Sequence, residues 1–293
     1  MTLQAHSNRL IALFPIALAL LVGCTARTAA RSTVPLAPPF VGHHQPVNDL
    51  RMYYVDEGKG PPLLLLHGGT ATVATSFGTL LGGFAQRRRV IAPEQIGHGH
   101  TGDANRPFTY QGMADDTAAL LAQLGIKETD VLGISDGGVV GMYLAVRHPT
   151  LVRKLIVLGA GFADRDLAKT IRWADQVTPQ SWPSDDSYDK NTPDGPGHWP
   201  VFQRKILEMY KAWTGLRPDE IAALHAPTMI VSGDRDYYLR ADRAEEMRKA
   251  LPNSWLCVLP DTTHAQLHLR GAWLTPMIDA FLDAPPTSAP KRP

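Results

Sequence analysis

Ser135 lies in the segment Gly133-Ile134-Ser135-Asp136-Gly137, with a glycine two residues to either side. Before it, Thr129-Asp130-Val131-Leu132-Gly133 reads as a short buried strand. After it, Gly138 to His148 carries Val139, Val140, Met142, Tyr143, Leu144 and Val146 at helical spacing. A serine between two such elements occupies a sharp strand-to-helix turn, where a bulky residue at 133 or 137 would meet backbone. The turn lifts the hydroxyl above the sheet and aims the following helix N-terminus at whatever the oxygen attacks. The chemistry this suits is nucleophilic attack. A serine hydroxyl is a weak nucleophile at neutral pH, so it needs a base, and the base needs an acid to orient it. His264 follows the apolar run 254–259 by the short loop Pro260-Asp261-Thr262-Thr263, and Asp234 and Asp236 follow the run 227–233. Both runs read as strands, so these side chains are expected at the same sheet edge as Ser135.

The elements that must position these groups alternate along the chain. Strands are predicted at 50–56, 63–66, 90–92, 129–133, 155–158, 227–233 and 254–259. Helices are predicted at 76–86, 110–124, 138–148, 241–250 and 270–283. That order argues for a mostly parallel, doubly wound α/β sheet wrapped by helices. Residues 161–225 break it, with no strand signal and four of the six tryptophans: Trp173, Trp182, Trp199 and Trp213. A connection of that length is usually functional, and it predicts a small helical cap over the sheet edge where open α/β sheets bind ligands. The aromatics suit either an apolar pocket or the packing of cap on core.

Taken in order, His67-Gly68-Gly69, Pro93-Glu94-Gln95-Ile96-Gly97-His98-Gly99, the Gly133–Gly137 turn, Gly233-Asp234-Arg235-Asp236 and Leu259-Pro260-Asp261-Thr262-Thr263-His264 resemble the α/β-hydrolase fold superfamily, over about residues 49 to 283. The resemblance implies a serine-nucleophile, carboxylesterase-like member with core segments 49–160 and 226–285 and a cap at 161–225. It assigns Ser135, Asp236 and His264 as the catalytic triad, with Asp236 preferred to Asp234 by family precedent. Asp234 is then expected to cap its turn. It also implies an oxyanion hole made by the backbone N–H groups of Asp136 and Gly69, with Thr70 as the alternative to Gly69. On that reading the Asp136 side chain is unneeded and caps the helix. Glu94 and Ile96 stand where the superfamily often carries Asp and Arg, a departure that bears on packing near the site. His67, His98 and His100 are expected to be structural, His268, one helical turn past His264, is expected to face solvent or the cap, and His198 and His225 have no acid-loop partner suggested.

The expected activity is cleavage of a carboxylic ester or lactone of a small, largely apolar acid through an acyl-enzyme. No cofactor or metal is expected, since the histidines show no tight ligand spacing. Proline-releasing aminopeptidase, C–C hydrolase and cofactor-free perhydrolase or haloperoxidase activities run on the same triad, and a catalytically silent ligand-binding protein is the non-enzymatic alternative. A proline-releasing enzyme would want acidic groups to hold a substrate amine, and Asp185, Asp186, Asp189 and Asp194 are candidates. Net charge is +1 with no long basic or acidic run, so nothing points to nucleic acid and no such partner is expected.

The first residues carry a separate signal. Leu10 to Val22 is an apolar run too short to span a bilayer, and Pro15 interrupts it. Leu21-Val22-Gly23-Cys24 resembles a bacterial lipobox, which implies a signal peptide at 1–23, lipidation of Cys24 and a membrane-anchored protein of the bacterial cell envelope. In a Gram-negative host the resemblance implies the outer membrane; the alternative is a secreted or periplasmic soluble protein. Residues 24–48 then form a tether and 286–293 a flexible tail. The only other cysteine, Cys257, lies in an apolar run and reads as a small buried hydrophobe.

Overall fold

The computed structural model describes residues 40–163, 167–184, 186–251, 253–265 and 270–285. The signal, Cys24, most of the tether, His268 and the tail fall outside the described residues. Among the described residues, no helix is long and apolar enough to cross a membrane. Eight strands form one sheet: β1 (Gly42–Val47), β2 (Leu50–Glu57), β3 (Pro62–Leu66), β4 (Arg89–Pro93), β5 (Thr129–Ile134), β6 (Val152–Leu158), β7 (Thr228–Gly233) and β8 (Ser254–Leu259). Their spatial order is β1-β2-β4-β3-β5-β6-β7-β8, antiparallel at β1–β2–β4 and parallel from β4 to β8. The order reverses around β3, and it is beyond the carboxyl ends of the strands at such a switch point that sheets of this kind place their ligands.

Four consecutive leucines show why the central strands read as unbroken apolar runs. Leu63 and Leu65 belong to one core, Leu64 and Leu66 to the other, and all four are fully buried. A strand covered on both faces must be apolar at every position. Each such side chain contributes about 1.5–3 kcal/mol of burial. On one face lie α3 (Tyr110–Gln123), α4 (Asp136–Arg147) and α9 (Ala241–Ala250); on the other lie α1 (Val73–Phe77), α2 (Leu81–Ala85) and α10 (Gly271–Asp283). The C-terminus of α10 is held by a buried lysine. The Lys154 ammonium donates to the carbonyls of Phe281, Leu282 and Ala284 at 2.6, 3.0 and 2.5 Å.

Two elements differ from the sequence expectation. The sheet begins inside the stretch read as tether: β1 pairs with β2 from Gly42 to Val47, turning at Asn48, whose φ is 50°. Gly-His-His-Gln-Pro-Val has no apolar alternation, because this edge strand is exposed along most of its length. The helix expected over 76–86 is two short helices, divided by a turn at Gly78-Thr79-Leu80. Between β6 and β7 the described residues hold only helices: α5 (Leu167–Gln176), α6 (Asp186–Asn191), α7 (Trp199–Ala212) and α8 (Pro218–Ala223). Trp173, Trp182, Tyr188, Trp199 and Phe202 pack ring against ring there, with neighbouring centroids 5.0–5.7 Å apart, so three of the four tryptophans serve the packing of this segment on itself.

Candidate active site

Ser135 joins β5 to α4 with φ 53° and ψ −120°, a left-handed conformation that a non-glycine residue adopts only where its surroundings enforce it. The flanking glycines are sterically required. A Cβ at Gly133 would stand 2.2 Å from the Gly137 carbonyl oxygen, and one at Gly137 would stand 2.1 Å from that of Leu66. The turn is tied down from both sides. The Ser135 N–H donates to Leu158 O at 2.8 Å, and its own carbonyl accepts from the N–H groups of Gly138 and Val139.

Three side chains from three loops meet above this turn. His264 Nε2 lies 3.0 Å from Ser135 Oγ, and His264 Nδ1 lies 3.0 Å from Asp236 Oδ2. The Asp236 carboxylate is fully buried, and its other oxygen accepts from the N–H groups of Tyr238 and Leu239 at 2.8 and 3.0 Å. Such an acid is fixed in direction. It selects the imidazole tautomer with hydrogen on Nδ1 and leaves the Nε2 lone pair facing the serine. Asp234 does something else: its Oδ1 accepts from Thr262 N–H at 3.0 Å, clipping the loop after β7 to the loop that carries His264. Backbone N–H groups of Thr262 and Asp261 hold its carboxyl below the usual carboxylate range.

The loop after β3 runs against the serine. A Cβ at Gly68 would lie 3.6 Å from Ser135 Cβ, an ordinary van der Waals contact. Among the described residues the N–H groups of Gly69 and Asp136 have no hydrogen-bond partner, whereas the Thr70 N–H donates to His98 Nε2 at 3.2 Å. Of the two residues expected to compete for the second oxyanion donor, Gly69 therefore has the free group. The loop after β4 holds this segment at three points. Gln95 N–H donates to His67 Nε2 at 2.9 Å, His98 accepts from Thr70, and Glu94 Oε1 accepts from Val73 N–H at 3.1 Å. Glu94 Oε2 also takes the N–H and Nδ1 of His100 at 2.6 and 2.9 Å. Burial, reinforced by the neighbouring His67, pushes His98 down to about 3, so its ring stays neutral and able to accept.

The Asp136 side chain does not cap α4. Its carboxyl accepts from Tyr110 Oη at 3.0 Å and from Tyr210 Oη, on α7, at 2.8 Å. Burial raises its pKa, and the two phenol hydrogen bonds oppose that rise. The same groups crowd Gly69: a Cβ there would meet Asp136 Oδ2 and Tyr210 Oη, each at 2.3 Å. Neither tyrosine carries a sequence signal for this role, because the contacts join residues 26 and 74 positions apart.

Of the remaining candidates, His198 lies 3.2 Å from Asp103 and away from the serine's partners. Cys257 is half-buried with its sulfur 3.9 Å from that of Met277. Among the described residues no group of three or more His, Cys, Asp or Glu is placed to hold a metal. The arrangement as a whole can activate a serine and shelter a developing oxyanion.

A family model described as alpha/beta hydrolase fold matches residues 61–195. The 2-hydroxymuconate semialdehyde hydrolase of Pseudomonas putida is 34% identical over 128 residues, 43% of this chain and 46% of that protein. The human serine hydrolase BPHL is 25% identical over 254 residues, 77% of this chain and 80% of that protein. The chain spans half or less of the length of the first curated relatives it matches. Among solved structures, the enol-lactonase from Burkholderia xenovorans LB400 superposes with a TM-score of 0.68 at 17% identity, over 83% of this chain and all of that one.

Proposed function

We infer that this chain, which has the α/β-hydrolase fold, is a serine hydrolase that cleaves a carboxylic ester or lactone through an acyl-enzyme on Ser135. The observation that carries this reading is the unbroken relay Ser135 Oγ–His264 Nε2, His264 Nδ1–Asp236 Oδ2, with both separations at 3.0 Å. In the acylation step the serine oxygen bonds to the carbonyl carbon as His264 takes its proton. The carbonyl oxygen gathers negative charge against the Gly69 and Asp136 N–H groups. The C–O bond to the alcohol then breaks, and His264 returns the proton to the leaving oxygen. Water repeats the sequence to release the acid. Labelling by a fluorophosphonate probe, lost in Ser135→Ala, tests this; a folded protein that does not label would instead support the non-catalytic binder.

The same triad serves several kinds of scissile bond, so a substrate panel decides among them. The hydrolase from Pseudomonas putida and the enol-lactonase from Burkholderia name a semialdehyde and an enol lactone, so C–C and lactone substrates belong in the panel beside p-nitrophenyl esters of graded chain length. One observation favours a second reading, removal of an N-terminal residue or hydrolysis of an aminoacyl ester. Asp189 accepts from Ser184 and Asp194 from the Asp103 N–H, and Asp185 and the Asp186 side chain fall outside the described residues, whereas the carboxyl beside Gly69 is that of Asp136, held by two phenols. Were an amine held there, Asp136→Asn would abolish turnover of an aminoacyl ester and spare the simple ester of equal length. We further propose that Cys24 is lipidated, leaving the enzyme anchored in a bacterial envelope; mass addition at Cys24, absent in Cys24→Ser, tests it.

A further inference from the structure

Two of the most exposed large side chains of the described protein stand beside its most buried chemistry. Tyr237 and Tyr238 are 67% and 68% exposed, and they follow directly after the triad acid. Their rings lie 4.4 Å apart, and the Tyr238 ring meets the His264 imidazole edge-on at 4.6 Å, with Tyr237 at 5.9 Å. The backbone beneath them is rigid. Asp236 Oδ1 holds the N–H groups of Tyr238 and Leu239, Leu239 is buried, and its carbonyl accepts from Ser232 Oγ at 2.6 Å. Two aromatic faces are therefore held in water by the same carboxylate that orients the catalytic imidazole.

The direction of proton flow says which part of a substrate would lie there. The leaving alcohol oxygen must sit at His264 Nε2 to be protonated, so groups packed on the imidazole border the alcohol portion. The carbonyl oxygen lies on the other side, at Gly69 and Asp136. From these placements, and resting on the serine-hydrolase reading above, we propose that Tyr237 and Tyr238 form a stacking subsite for a planar, aromatic alcohol portion of the ester. In the step concerned, the Ser135 Oγ–acyl carbon bond forms and the acyl carbon–aralkoxy oxygen bond breaks. The serine proton passes through His264 to that oxygen, and the aromatic alcohol leaves over the two tyrosine rings. Stacking preferences between aromatic groups are modest, and loss of one ring is expected to cost roughly tenfold in selectivity.

The test compares benzyl butyrate with ethyl butyrate, whose leaving alcohols are close in intrinsic reactivity. The full chain is assayed beside Tyr237→Ala, Tyr238→Ala and Tyr238→Phe, and fluorophosphonate labelling reports that the triad is assembled in each. The benzyl-over-ethyl ratio of kcat/KM is expected to fall about tenfold in the alanine variants and to persist in Tyr238→Phe. An unchanged ratio in labelled protein, or an equal loss on both esters, overturns the subsite, the second by showing that the rings merely pack against His264. Ethyl phenylacetate supplies the acyl-side control: if the alanine variants lose preference for it and not for benzyl butyrate, the assignment to the alcohol side is overturned. Absence of labelling in the unaltered protein brings down the hydrolase reading itself, and the subsite with it.

Discussion

Replacing His98 removes a neutral imidazole from the core and leaves a measurable trace in the acid stability of the protein. The ring is buried and accepts from Thr70 N–H at 3.2 Å, with the edge of Phe202 from α7 at 4.9 Å and His67 at 5.0 Å. Its pKa is pushed down to about 3 from an ordinary 6.5, burial being the main cause. Between those values the unfolded chain binds a proton at this site that the folded one refuses. Stability is therefore complete above pH 6.5 and is lost as pH falls toward 3. From pH 7.5 to pH 4.5 that linkage amounts to about 3 kcal/mol for this one ring. His67, lowered by burial as well, acts in the same direction. His98→Gln keeps an acceptor for Thr70 but cannot titrate, so its loss of stability over that interval should be about 3 kcal/mol smaller than in the wild type. His98→Leu should share the shallower slope and sit lower throughout, since it orphans a buried N–H at a cost of about 1–3 kcal/mol. Urea unfolding of the three proteins at the two pH values decides the matter. A wild-type slope retained in the glutamine variant would refute the argument.

Other outcomes follow from the same coordinates. Asp236→Asn disturbs the tautomer of His264 and should lower kcat on the order of 10³–10⁴-fold. Asp234→Asn should cost less than about tenfold, because its carboxylate only joins two loops through Thr262; similar losses in both would contradict the assignment of the acid. Lys154→Met withdraws a buried ammonium from the last carbonyls of α10 and should destabilise the fold by about 1.5–3 kcal/mol, seen as a lower urea midpoint with unchanged kcat. A midpoint equal to the wild type would mean that α10 is held by its apolar face alone.

How far the sequence reaches depends on whether a feature is local. The buried parallel strands announce themselves because a strand covered on both faces tolerates only apolar residues, as Leu63–Leu66 shows. The serine turn is legible because its strand, its glycines and its helix are consecutive in the chain, although the contact that forces Gly137 comes from the Leu66 carbonyl at the end of β3. The order of the strands places Asp236 and His264 near Ser135 once the sheet is parallel, and the 3.0 Å separations then depend on loops of few residues. β1 was hidden for the opposite reason: an exposed edge strand needs no apolar alternation, and its identity lies in pairing with β2. The break between α1 and α2 falls in Gly78-Thr79-Leu80, where apolar residues continue on both sides and mask the turn.

Asp136 shows the limit most clearly, since the resemblance implies an oxyanion role for its N–H and a helix cap for its carboxyl, whereas the carboxyl bonds two phenols. That carboxyl is defined by Tyr110 at the start of α3 and by Tyr210 on α7, and it in turn defines what residue 69 can be. Any side chain at 69 would strike the carboxyl and the Tyr210 phenol, so the glycine there answers to the helical segment as much as to a substrate. The segment between β6 and β7 thus contributes directly to the surroundings of Gly69 and Asp136. Phe202, on the same helix as Tyr210, meets His98, which holds Thr70 beside that glycine. One helix accordingly sets both the acidic wall and the backbone donor of the site. Replacing the segment with a foreign one of equal length would have to preserve positions 202 and 210 to keep the turn at 67–70 in place.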